Sequence, residues 1–194
     1  MCSLNIDKTN KLFSKGRLAL FFVSMLLCAL AQPHRGWLLC TLVSFAGFGL
    51  FFYATRFTRG KARFLLALSW FFCVQVALLF WLATPMYQGL YVYGLLTLLS
   101  TLLGLQFAFF TMWVPTGRPV GILEGLMLSS VWTLLEWVRL FFLCGFVWNP
   151  LGLTLTATPY LAQLASIWGV YGLSFIVMCC NLSLYRCLAV LIAI

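Results

Sequence analysis

The chain alternates long apolar runs with short polar or proline-rich breaks, and the runs are continuous rather than two-residue periodic. Continuous runs of this length predict membrane-spanning helices, whereas a membrane barrel would show strands of alternating polarity. The first run covers residues 17–32 and is short. A tight turn, "PHRG" (33–36), leads to a second run over 37–54. The basic stretch "TRFTRGKAR" (55–63) carries Arg56, Arg59, Lys61 and Arg63 and no acid. A third run covers 64–83 and closes in the uncharged turn "TPMYQG"; a fourth covers 90–114 and closes at "PTGRP". The fifth, 120–143, contains the chain's most unusual stretch, "LEWVRLFFLCGFVWNP". An uncharged loop (144–159) separates it from a sixth run, 160–184. The pattern predicts an all-α, polytopic transmembrane helix bundle of about six spans over residues 17–185. A tail (1–16) precedes it, and the start of a seventh span (186–194) comes after.

Composition agrees. Of 194 residues, 64% are hydrophobic and 8% charged, and the mean hydropathy is +1.06. A soluble domain of this length needs about a quarter of its residues charged. The net charge of +9 does not point to nucleic acid, because the basic residues sit at the ends of apolar runs instead of forming one polar face. They do set an orientation. With the amino terminus cytoplasmic, ten basic residues lie inside and only Arg35 and Arg139 outside, which the positive-inside rule favours. Residues 15–31 have the basic start and apolar core of a secretory signal. Gln32-Pro33-His34 offers no small-residue cleavage site, so a retained span is expected.

Candidate chemistry is sparse. The eight cysteines form no C-x-x-C pair and read as small hydrophobes within spans. Neighbouring Cys179 and Cys180 diverge on a helix, and neither a metal site nor a cofactor is expected. His34, the single histidine, reads as an interfacial turn residue. The acids are Asp7, Glu124 and Glu136. Glu124 is expected to reach back toward Arg118 at the interface. It stands twelve residues from Glu136, about 120° around the helix, so the two are not a carboxylate pair. Glu136 and Arg139, at i,i+3, share a face with Trp132 and Leu143 and are expected to pair with each other. A paired charge is far less costly in lipid than a lone one. The pair serves either to lock the fifth helix to its neighbours or to hold the adjacent loop and meet a lipid head group. In that loop Gly145 permits a sharp exit from the helix, and Pro150 stiffens the residues after it. Phe146 and Trp148 suit either an interfacial aromatic belt or the rim of a lipid access route. A Glu-Lys-Cys site is not expected from these residues, since Lys8, Lys11, Lys15 and Lys61 are cytoplasmic in this topology and Glu136 lies near the outer face. Ser-His-Asp fails because His34 and Asp7 fall on opposite sides.

The stretch "VWTLLEWVRLFFLCGFVWNPLGLTLT" and the downstream "LAQLASIWGVYGLSFIVMCCN" resemble the apolipoprotein N-acyltransferase family. "RLALFFVSMLLCALAQP" and "SWFFCVQVALLFWLA" match it more loosely. The matching positions are Glu136, Arg139, Gly145, Phe146, Trp148, Leu151, Gly152, Gly169, Val170, Gly172, Ser174 and Phe175. Val147 departs from the family's usual Pro, and Leu153-Thr154 from its Tyr-Ser. The resemblance implies a multi-pass enzyme of the cell inner membrane. Such an enzyme moves an acyl chain from a phospholipid, through a cysteine thioester, to the amino-terminal diacylglyceryl-cysteine of a lipoprotein. It also implies that the catalytic Glu-Lys-Cys set belongs to a nitrilase-like domain lying beyond these 194 residues. No catalytic residue is therefore expected here, and the isolated chain is expected to be inactive. Lipid handling would fall to Glu136, Arg139, Gly145, Phe146 and Trp148. From other classes, a small transporter or channel subunit would use Glu136 and Arg139 along a pathway, and a membrane scaffold would show no lipid chemistry.

Overall fold

A computed structural model describes residues 15–31, 37–83, 89–141, 145–146 and 148–191. The amino-terminal tail, the turn holding His34 and Arg35, most of "TPMYQG", Leu143, Cys144 and Val147 lie outside the described residues. The described chain is helical: α1 (Lys15–Leu30), α2 (Trp37–Ser44), α3 (Gly47–Ala54), α4 (Gly60–Leu79), α5 (Tyr91–Trp113), α6 (Ile122–Val138) and α7 (Pro159–Leu191). Short 3-10 turns follow α4 (Phe80–Leu82) and precede α7 (Leu151–Ala157).

Local chemistry explains the boundaries. Pro115 holds Val114 extended (φ −71°, ψ 126°), so α5 stops there. Pro159 occupies the first position of α7, where its missing N–H costs nothing. At the start of α6, the Glu124 carboxylate accepts from the Gly121 N–H (3.1 Å) and from both Arg118 nitrogens (2.7 and 2.8 Å). Glu124 thus reaches back to Arg118 as its position in the sequence suggests.

Three helices are long and apolar enough to cross a membrane: Gly60–Leu82, Tyr91–Trp113 and Pro159–Leu191. Three predicted spans differ in form, the fifth because its helix ends at Val138 and not near 143. The second is broken at Phe45–Ala46 into α2 and α3. The sixth does not end near 184, because residues 186–191 continue α7 where a new span was expected. The departure from helix falls instead at Gly169 (φ 63°). Arg186 looks like a boundary in sequence, but it donates to Val120 O (3.3 Å) from within the helix.

Packing is densest where side chains are either aromatic or very small. Helices α4 and α5 run antiparallel, with Arg63 meeting Val114, Phe64 meeting Phe109, and Gly104 seated against Leu68. Ser100, Gly104 and Ala108 form a buried small-residue stripe on α5. A methyl at Gly104 would lie 3.0 Å from Leu68 O, and such stripes let apolar helices approach closely. Around this pair, the Phe107 ring lies 4.8–6.4 Å from those of Phe48, Phe51, Phe52, Trp70, Phe71, Phe110 and Trp132. These rings come from α3, α4, α5 and α6 and form the centre of the core.

The α2–α3 break frees main-chain groups inside that core, and one side chain from α7 satisfies them. Asn181 accepts from Gly49 N (2.9 Å) and donates to Ser44 O (2.7 Å). Gly49 is needed at the crossing, since a methyl there would lie 2.6 Å from Asn181 O. Asn181→Leu leaves two buried main-chain groups unpaired, a loss of about 2–4 kcal/mol. The expected outcome is a lower melting temperature in detergent without loss of helix content. An unchanged melting temperature would mean that Asn181 does not hold the break.

Candidate functional site

Helix α6 carries Trp132 and Glu136 on one face, four residues and about one turn apart. Trp132 Nε1 donates to Glu136 Oε1 at 3.0 Å. The same oxygen accepts the Leu151 N–H at 2.9 Å, and the next amide, Gly152 N, donates to Ser174 Oγ on α7 at 2.8 Å. Ser174 is also a polar neighbour of the carboxylate. The first two N–H groups of the 3-10 segment Leu151–Ala157 are therefore capped by side chains from two other helices. Free N–H groups at a helix start attract acceptors, and anionic ones most strongly. Gly152 is required by the close approach: a methyl would collide with Val170 O, Ser174 N and Leu173 Cβ. Here α7 begins again after the Gly169 break.

The expected Glu136–Arg139 ion pair does not form. Among the described residues the salt bridge is Arg118–Glu124. The physical reason is that α6 ends at Val138, leaving Arg139 at its C-cap. From there Arg139 Nε donates to Gln106 Oε1 on α5 at 2.9 Å, and the guanidinium lies 5.8 Å from the Trp132 ring centre. A cation also suits a helix carboxyl end. Both charges are almost fully buried, Glu136 at 2% exposed and Arg139 at 5%, but each is held by neutral partners.

The loop candidates separate. Gly145 has the left-handed φ of 78° that glycine adopts readily, but α6 already ends at Val138, so the glycine turns the loop and is not the exit from the helix. Phe146 is buried in the main core. Trp148 is exposed and packs edge-on against Phe146 (5.6 Å) and Trp81 (5.4 Å). Asn149 turns the chain with φ 53°, a conformation that asparagine tolerates better than most residues.

Beneath this loop is a cavity of about 200 Å³. Glu136, Trp132, Phe71 and Gln75 wall it on the helix side, and Asn149 to Leu151 with Leu153 and Thr154 cover it. Three of its polar atoms are buried without a hydrogen-bond partner among the described residues: Glu136 Oε2, Gln75 Oε1 and Asn149 Nδ2. Two acceptors and one donor facing a mostly apolar space can take a small polar group or water. Cys28 shares this cavity, and no lysine among the described residues lines it. Gln75, Asn149 and Ser174 were not singled out as site residues by sequence reasoning. The signals available were a polar residue inside an apolar run, which Gln75 in "FFCVQVALL" shows clearly, and, for Ser174, its place among the positions that carry the resemblance.

An apolar helical bundle whose loop is pinned over a partly polar cavity belongs to the class of membrane-type helical domains. The family comparison is more specific. Residues 24–183 match the model for the apolipoprotein N-acyltransferase N-terminal domain, and the chain belongs to that family. It is 30% identical to the apolipoprotein N-acyltransferase of Chlamydia caviae over 89% of this chain and 33% of the relative. With the protein of that name from Chlamydia pneumoniae it shares 27% identity, over 87% of this chain and 32% of the relative. Against that from Haemophilus ducreyi the identity is 33%, over 78% and 29%. The chain thus spans about a third of the length of these relatives. No solved structure matches it significantly.

Glu136→Leu removes the acceptor for two buried N–H groups, and Glu136→Gln keeps one oxygen for them. Amide hydrogen exchange in a peptide covering 148–158 should therefore rise strongly in the leucine variant and only slightly in the glutamine variant. Equal exchange in all three proteins would mean that Glu136 does not hold the loop.

Proposed function

We propose that these residues form the lipid-handling membrane portion of an apolipoprotein N-acyltransferase, and that acyl transfer itself needs residues outside them. The reaction served is movement of an acyl chain from a phospholipid, by way of a cysteine thioester, to the amino-terminal diacylglyceryl-cysteine of a lipoprotein. The bundle sits in the cell inner membrane as about six spans with its amino terminus cytoplasmic, which places the 145–158 loop on the outer side. What carries the proposal is family membership over residues 24–183 together with the loop pinned over a partly polar cavity. The basic residues gathered on the other side of the breaks support the orientation.

In this function the residues divide by task. Glu136 and Ser174 fix the loop's main chain, Arg139 ties the end of α6 to α5, and Gly145 supplies a left-handed turn within the loop. Trp148 is the exposed member of the set and presents an amphipathic ring at the height where acyl chains meet head groups. Chemistry is assigned elsewhere on the family reading, and among the described residues the cavity sets no lysine beside Glu136 and Cys28.

The test uses the chain itself in detergent with a radiolabelled, photoactivatable phospholipid. Photolabelling of the chain is expected, without any hydroxylamine-sensitive thioester. Trp148→Ala should lower photolabelling severalfold while the melting temperature stays near that of the parent. Robust thioester formation would overturn the division of labour, and parallel loss of labelling and stability would reduce Trp148 to a packing residue.

A further inference from the structure

At the opposite end of α6 from Glu136, about 18 Å away along the helix, the structure holds a second polar region. The amino-terminal turn of α4 and the segment 112–118 enclose a cleft of about 350 Å³. Arg59, Gly60, Arg63 and Arg118 line it, and Glu124 is the acid in its wall. Lys61 stands in the same turn, and Arg56 and Arg63 both lie near the Tyr185 hydroxyl.

Three features of this cleft are independent of one another. First, α4 starts without a side-chain cap, and no acid occupies its first turn. An amino-terminal helix end carries free N–H groups and a partial positive charge, so Lys61 and Arg63 there oppose the helix dipole. Second, Arg63 is 2% exposed and uses one nitrogen, Nη1, to donate to Val114 O at 2.9 Å. Its Nε and Nη2 are buried with no partner among the described residues. Third, the space above Gly60 is open, with nothing within 4 Å of a built methyl. The neighbouring start of α6 shows the contrast, for Glu124 caps it from within the chain. Glu124 is already committed to Arg118 and Gly121, and the α4 end has no side-chain cap among the described residues.

We propose that this cleft binds an anionic phosphate group, held by the α4 amino terminus, Arg59 and Arg63. An anion there would offset the misplaced cations, use the spare Arg63 donors, and take main-chain N–H groups at the helix start, the usual logic of phosphate sites. The phosphate belongs either to the head group of an anionic phospholipid or to free inorganic phosphate. The site is separate from the loop over the cavity and does not depend on the acyltransfer function.

The test is a thermal-shift and native mass spectrometry titration of the whole chain in detergent. Dioctanoyl phosphatidylglycerol is compared with dioctanoyl phosphatidylcholine, and sodium phosphate with sodium chloride at equal ionic strength. Phosphatidylglycerol is expected to bind and stabilise, phosphatidylcholine much less. Arg59→Gln, at an exposed position, should weaken binding about tenfold while leaving the ligand-free melting temperature unchanged. Arg63→Gln should weaken it further, and Arg59→Gln keeps the test decisive should that buried variant fail to fold. If sodium phosphate stabilises equally and displaces the lipid, the same chemistry is supported with the free ion as its source. Equal stabilisation by both lipids, or affinity for phosphatidylglycerol unchanged in Arg59→Gln, would overturn the proposal.

Discussion

In a bundle this apolar, each main-chain group that leaves a helix inside the core must find a partner made of protein. That constraint organises the structure. At the α2–α3 break the partner is Asn181, which serves both sides of the gap. Where the 3-10 segment begins, the partners are Glu136 and Ser174. At the turn after α5 they are Arg63, bonded to Val114 O, and Tyr185, bonded to Pro115 O. In every case the polar side chain comes from an element distant in sequence, so the breaks also fasten the helices to one another. The few buried polar residues thus serve as tertiary links, and the apolar majority fills the space between them.

This explains what could be read from the sequence and what could not. Hydropathy located the helices well, because an apolar run ended by proline or charge has few alternatives. It missed the break at Phe45–Ala46 and the bend at Gly169, because residues of similar hydropathy continue through both. Glu136 was conspicuous as an acid in an apolar run, and its importance was legible. Its partner was not. Spacing of i,i+3 pointed to Arg139, whereas the carboxylate accepts from Trp132 one turn back and from the Leu151 main chain fifteen residues on. A local rule finds local partners, and this carboxylate serves a distant main chain. Asn181 and Ser174 lie in ordinary-looking spans, and only the fold brings them to a break.

The two polar regions differ in kind. In the lining of the cavity beside Glu136 the unpartnered atoms among the described residues are two acceptors and one donor, and the loop above is uncharged. Near Arg63 they are donors, and the surroundings are strongly basic. Helix α6 connects the regions and carries one acid at each: Glu124 caps its own helix and Glu136 caps another segment. A single helix therefore uses the same device at both ends, a carboxylate accepting a main-chain N–H, once for its own cap and once for a neighbouring segment.

Docking through Gly152 has a further consequence for how this domain can diverge. The segment is seated on α7 by its backbone, through an amide and a missing side chain, so the seat places no demand on the residues just after it. Leu153 and Thr154, the next two residues, both line the cavity. The roof can thus be re-upholstered without moving the joists. Cavity shape and loop anchorage are separable traits, open to change at one pair of positions and closed at the next.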